Sequence, residues 1–273
     1  MSAARAARLL ASELRLMATR RRNQVGLAVL AAIPIMMAVA IRLSRPSGAH
    51  GPDFLTEISE NGFFVAVSAL TLTMTLFQPI AVAALCGDAI AGEANQGTLR
   101  YLLTVPVHRT RLLVTKYAAL VVGSFIAPLT IAVAGLLAGL ALFGLKPVRV
   151  LSGSEIPLAD GLGRLALMVG YLGLCLAALA AVGLFISTLT EQPVAATLAT
   201  AGIVMLSWIL QTIPQLDWLH PWLIVHHWTA GTDLLRDPMF LENMQRGLLL
   251  AGAYALVFGT AAWARFAGKD ITS

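Results

Sequence analysis

Of the 273 residues, 58% are hydrophobic and only 12% are charged, against roughly 25% charged in an ordinary soluble domain. Together with a mean hydropathy of +0.79, this excludes a soluble globular protein and places the chain in a membrane. The net charge of +5 is carried outside the apolar runs. It therefore reads as topology and contact with anionic lipid, not nucleic-acid binding, which would need a basic face with aromatic or motif support.

Residues 3–22 are amphipathic, with Ala6, Leu10, Leu14 and Met17 at helical spacing and Arg5, Arg8, Arg15, Arg20, Arg21 and Arg22 supplying positive charge. The pattern suits an interfacial helix over residues 1–23, its basic residues at headgroup level. The plainer alternative is a solvated leader that only sets orientation. No small-residue cleavage site follows the first apolar run, so the span is expected to stay attached. Six apolar stretches come next, at 24–41, 63–85, 117–143, 165–189, 194–213 and 247–264. Each is near the roughly 20 residues that cross about 30 Å of hydrocarbon. The first contains Pro34, and the third is long, with Pro128 and several glycines, so it is expected to tilt, kink or project from the bilayer.

The longest polar segment between apolar runs, residues 88–116, begins with a pattern for an amphipathic helix over 88–103. Ile90, Ala94, Leu99, Leu102 and Leu103 are available for burial, and Asp88, Glu93, Gln96 and Arg100 for water or a partner's surface. Gly97 weakens that helix, Thr98 can cap a second piece, and Pro106 ends it. Arg109, Arg111 and Lys116 follow as a basic cluster, read as membrane-surface anchors and topology determinants.

With the N-terminus inside, 12 of the Lys and Arg residues fall on inner segments and 7 on outer ones, which makes both termini cytoplasmic. Residues 214–245 form the longest outer segment. Its run WLHPWLIVHHW predicts a re-entrant or interfacial helix hairpin, and Trp218, Trp222 and Trp228 suit an outer aromatic belt. Cys86 and Cys175 stand in or beside apolar runs, as buried small hydrophobes and not a disulfide framework. His226 and His227 lack a well-spaced third metal ligand, so an interfacial polar role is preferred and no metal is expected.

The spans so placed contain no Asp, Glu, Lys, Arg or His, which argues against an ion-coupled carrier and against an intramembrane hydrolase. They do contain two polar stripes, Ser68, Thr71, Thr75 and Gln78 on the second span and Thr197, Thr200, Ser207 and Gln211 on the fifth. At about 100° per residue each occupies a sector of about 80°. Such faces either line a pathway or pack helices through small polar contacts. No Gly-x-x-x-x-Gly-Lys-Ser/Thr phosphate loop is present, and Lys116, Lys146 and Lys269 all lie outside glycine-rich turns.

Glu93, Gly97-Thr98-Leu99, Pro106, Arg109 and Lys116 resemble the loop between the second and third membrane helices of ABC-2 type ABC transporter permeases. Residues 266–271, FAGKDI, resemble that family's short C-terminal motif. The resemblance implies an all-α polytopic fold, with residues 1–273 as one transmembrane domain of six helices and 88–116 as a cytoplasmic coupling loop. It implies contact of Asp88, Glu93, Gly97, Thr98, Arg100, Pro106 and Arg109 with a cytoplasmic ATP-binding subunit. That subunit would bind ATP and Mg, and this chain would hold no cofactor and catalyse nothing. It further implies a second permease copy or a paralogous permease beside the pathway, membrane lipids as neighbours, a bacterial inner-membrane location and export of an amphipathic or lipid-like substrate. For Glu93 the alternative is an exposed helix carboxylate of little consequence. The competing classes of function are a membrane scaffold that recruits a partner without moving solute, and an ion-coupled secondary carrier.

Overall fold

The computed structural model describes residues 3–43, 61–95, 109–144, 147–149 and 155–268. Apart from a two-residue antiparallel ladder, β1 (Val148–Arg149) with β2 (Glu155–Ile156), the fold is helical throughout the described residues. The amphipathic N-terminal stretch is α1 (Ala3–Thr19), which breaks at Arg20 before the first span, α2 (Arg21–Leu43). The remaining long helices are α6 (Arg109–Phe143), α7 (Leu158–Leu189), α8 (Pro193–Gln211) and α9 (Glu242–Ala267). With α2 they make five unbroken helices long and apolar enough to cross a membrane.

The second span differs from the expected single helix. It is two helices, α3 (Phe63–Met74) and α4 (Phe77–Ala89), bent by 56° at Thr75 and Leu76. Pro79 supplies the reason, because it has no N–H for the Thr75 carbonyl four residues earlier and its ring crowds that oxygen. Gln78 mends part of the damage, its buried amide donating to the Leu70 carbonyl at 3.1 Å and to Thr73 Oγ1 at 2.9 Å. Pro34 and Pro128, in contrast, lie within continuous helices.

α7 is the centre of the bundle, with 72% of its most apolar stretch buried against 22% for α2 and α8 and 11% for α9. It packs against α9, α6, α4 and α8, while α2 and α3 pack on the other side of α6. The outer helices leave Val25, Met36, Leu198, Ile209, Leu249 and Leu256 exposed, as lipid-facing positions are in a span. The third span is longer than expected: α6 is 35 residues long and takes Arg109, Arg111 and Lys116 into the helix.

One contact sets the spacing of α3 and α6. A Cβ on Gly62 would lie 2.2 Å from the Gly139 carbonyl carbon, and one on Gly139 would lie 2.1 Å from the Gly62 oxygen. The two backbones therefore touch, the close approach that small residues permit between membrane helices. Gly62 also donates its N–H to the Gly144 carbonyl at 2.9 Å. Gly139→Leu should force α3 off α6 at a cost of about 1–3 kcal/mol or more, read as a lower melting temperature in detergent. Gly202→Ala, where an added Cβ meets nothing within 4 Å, should leave the midpoint unchanged.

Candidate functional site

The loop motif folds inward. α4 ends at Ala89, Ile90 leaves helical geometry at φ −123° and ψ −50°, and a short helix α5 (Ala91–Asn95) follows. Such a break strands backbone N–H groups, which must find acceptors when buried. Ser187, near the end of α7, takes two of them: its Oγ accepts from Ile90 at 3.2 Å and from Ala91 at 3.0 Å. The backbone of α5 is thereby tied to the central helix.

Glu93, expected on the water or partner face, is instead buried at 6% exposure. Its carboxylate meets the Lys116 ammonium at 2.5 Å. Lys116, expected as a surface anchor, is 3% exposed and also reaches Glu13 of α1 at 3.3 Å. The correction has a single cause. Once α6 starts at Arg109, Lys116 lies two turns inside it, facing α1 and α5, and a buried ammonium requires carboxylates around it. Burial pushes the Glu93 carboxyl above its usual range, while Lys116 pulls it back down. Beside this group Asp88 Oδ2 holds Arg20 at 2.6 Å and Arg22 at 2.7 Å. Asp88 thus belongs to the last turn of α4 and faces the α1–α2 junction. Three cations and three carboxylates bracket α1, α2, α4, α5 and α6 at one end of the bundle.

Arg109 opens α6 and donates to the Ala267 carbonyl at 3.1 Å. Trp263 Nε1 donates to Thr110 at 2.9 Å, so the last helix ends against the start of α6. Gly97, Thr98, Arg100 and Pro106 lie outside the described residues, as do residues 269–271 of the C-terminal motif. Glu13 and Ser187 escaped the sequence reading. Glu13 had a signal, being the one acidic residue among the first 50 in a helix full of arginine, whereas Ser187 had none.

The polar stripes fare differently from each other. The bend at Thr75 removes the shared face of Ser68, Thr71, Thr75 and Gln78: Gln78 is buried in the break, Thr75 is exposed, and Ser68 and Thr71 are half-buried. On α8, Thr200 and Ser207 are buried and Thr197 and Gln211 half-buried. Thr197, Thr200 and Ser207 each donate back to the carbonyl four residues earlier. A Cβ on Gly87 of α4 would meet Thr197 Oγ1 at 2.2 Å and the Pro193 oxygen at 2.5 Å. Within one chain, then, the start of the α8 stripe is a packing surface against α4.

At the opposite end, the predicted hairpin before the last span is three short 3₁₀ helices, Pro214–Leu216, His220–Trp222 and Trp228–Leu235. Each is too short for a helix hairpin, and Leu223, Ile224 and Val225 between the last two are buried. Trp218 and Trp222 are exposed, but Trp228 is buried and meets Trp208 edge-on at 6.4 Å. Arg164, expected in a loop, lies in α7 and donates to the Leu234 and Arg236 carbonyls. Tyr171 donates to the His227 carbonyl at 2.6 Å, and His226 Nδ1 pairs with the Gln211 side chain at 2.8 Å. Among the described residues no group of three His, Cys, Asp or Glu side chains is arranged to hold a metal. Cys86 and Cys175 are both free and buried.

Residues 15–227 match the family described as ABC-2 family transporter protein, which is well over half of the chain. No curated protein matches it.

Two predictions follow from these contacts. Lys116→Met should cost about 3–5 kcal/mol of stability, because it leaves buried carboxylates without their cation. Adding Glu93→Leu to Lys116→Met should restore much of the loss, read by thermal unfolding in detergent. Burial, helped by His220, holds the His226 imidazole below its ordinary 6.5. Burial, with His226 and Arg246, does the same to His227. The unfolded chain therefore takes up protons first as pH falls. Stability from these groups is complete above about 6.5 and declines below it, toward their folded values. His226→Gln with His227→Gln should flatten that decline in melting temperature.

Proposed function

We propose, since the chain belongs to the ABC-2 transporter family, that the bracket around Lys116 is the joint through which a separate ATP-binding subunit drives the membrane helices. The chain is a multi-pass membrane protein and the permease component of an ABC transporter. ABC-2 permeases normally work with a cytoplasmic ATP-binding subunit. Here ATP and Mg are assigned to that subunit, docking on the segment that carries Gly97, Thr98, Arg100, Pro106 and Arg109, with Asp88 and Glu93 turned inward behind it.

The observation that carries the reading is the inward turn of Glu93. Force applied to α5 bears through Glu93 and Lys116 on α6 and α1, and through Ser187 on α7. Glu93 then acts as a transmitting residue within the chain, and the exposed Asn95 side of α5 meets the partner. A buried pair suits this role, because removing either charge is expensive and its geometry is correspondingly well held.

The excess of Lys and Arg on inner segments supports cytoplasmic termini, and the arginine-rich, alanine-rich composition supports a bacterial inner membrane. Ser68 and Thr71 on α3, half-buried, and Thr75 at the bend, exposed, are assigned to the pathway, beside a second permease copy or a paralogue. The α8 stripe of Thr197, Thr200, Ser207 and Gln211 is assigned to helix packing, beginning with Thr197 against α4. A neutral hydroxyl lining favours an amphipathic, lipid-like substrate over a free ion, and export is the assigned direction.

The test is to tag the chain, express it with its genomic neighbours and purify it in mild detergent. A soluble ATP-binding subunit should copurify in equal ratio, and Asn95→Cys should form a cross-link to it. ATP hydrolysis by the complex should fall with Lys116→Met while the copurified ratio stays constant. A clean oligomer with no ATP-binding partner would overturn the reading in favour of a scaffold or a carrier.

A further inference from the structure

Beneath α1 lies a groove of about 330 Å³, walled by α1, α2, α4 and α6. It exists because several facing residues are small: Gly26 on α2, Ala81 and Ala84 on α4, and Ala127 on α6. A Cβ added to Gly26 would meet nothing within 4 Å, so this wall stands back from its neighbours. Almost all of the lining is apolar, and the polar exceptions, Arg22 and Asn23, sit together at the first turn of α2. The groove spans the first turns of α2, the middle turns of α4 and the fourth and fifth turns of α6. Its mouth lies beside the charged bracket and its apolar length runs along the start of the first span.

Arg22 is half-exposed at the mouth. Its Nη2 donates to the Ala84 carbonyl at 2.5 Å and meets Asp88 at 2.7 Å. No described residue takes a hydrogen bond from its Nη1 or Nε, which leaves three of the five guanidinium N–H donors for another acceptor. The Asn23 amide is already spent on the Met17 carbonyl at 2.9 Å. Arg15, exposed on α1 next to the lining turn, forms no ion pair among the described residues. An apolar slot with a guanidinium fork at its mouth matches a phosphodiester joined to a hydrocarbon chain.

We propose that this groove is a binding site for an anionic phospholipid of the adjoining leaflet, one acyl chain lying between α1, α2, α4 and α6 and the phosphate held by Arg22. Bound lipid replaces the missing side chains under α1 and completes its packing. The site requires only that α1 lie in the membrane surface, and it stands whether or not the chain transports anything.

Native mass spectrometry of the full chain tests it, after equilibration with vesicles of phosphatidylglycerol or of phosphatidylcholine and extraction in mild detergent. One phosphatidylglycerol per chain should persist, and phosphatidylcholine should not. Gly26→Phe, which fills the groove, should lower retention at least tenfold. Ile35→Phe, on the exposed face of the same helix, should retain lipid as the unaltered chain does. Arg22→Gln should abolish the preference between the two headgroups. Melting in lipid-free detergent reads the fold separately; if Gly26→Phe lowers it, Ala81→Leu fills the groove from the opposite wall and takes its place. Equal retention by a folded groove-filling variant and the unaltered chain, or equal retention of both lipids, would mean annular lipid only and would overturn the site.

Discussion

A cation removed from water must be surrounded by acceptors, and Lys116 imposes that condition on everything near it. Only 3% of the residue is exposed, so carboxylates must come to it from elsewhere in the chain. Glu93 comes from the segment after the broken second span and Glu13 from a helix about a hundred residues earlier. To deliver Glu93, α4 must stop at Ala89 and α5 must turn inward, which leaves two N–H groups for Ser187. To deliver Glu13, α1 must lie across the start of α6. The same placement brings Arg20 and Arg22 to Asp88. One buried ammonium thus accounts for the course of the chain at this end of the bundle.

How far the sequence showed this depends on which kind of information each feature uses. Apolar length is local, so all six spans were visible, within a few residues at most ends. Amphipathic spacing is local too, and it finds α1, although the helix ends at Thr19, short of the expected residue 22. Pro79 was also in plain view, yet a proline in a long apolar run does not say whether packing will absorb it. Pro34 and Pro128 are absorbed and Pro79 breaks its helix. The stripe on the second span was a calculation on an unbroken helix, and it failed at that break.

The motif of the loop after the second span is legible as a motif, but its charged residues do not form a surface. Charged residues between two apolar runs are ordinarily solvated, so Glu93 and Lys116 were placed in water or against a partner. What overrides this is pairing across the fold, which single-chain spacing does not display. The composition did hold a trace of it: Glu13 is the lone acid in a strongly basic stretch, and Lys116 is one of 3 lysines among 19 basic residues. Trp228 shows the same limit in apolar form. Its two neighbours in the run are exposed, as an interfacial belt requires, while it turns inward to meet Trp208 on α8.

The bracket and the groove divide α1 between two kinds of support. On one edge, Glu13 joins a set in which Arg20, Arg22 and Lys116 balance Asp88, Glu13 and Glu93, so the buried cluster has no net charge to solvate when all six are ionised. On the other edge, small residues leave an apolar slot, and the unbalanced charge of Arg15 and Arg21 faces outward. The geometry inside the cluster is unequal as well. Lys116 stands 2.5 Å from Glu93 and 3.3 Å from Glu13, so it keeps one carboxylate if the other withdraws. Movement of α5 away from α6 therefore does not leave a bare ammonium in the interior, because Glu13 remains as its partner. The cost of separating α5 from α6 therefore stays well below that of an unpaired buried charge.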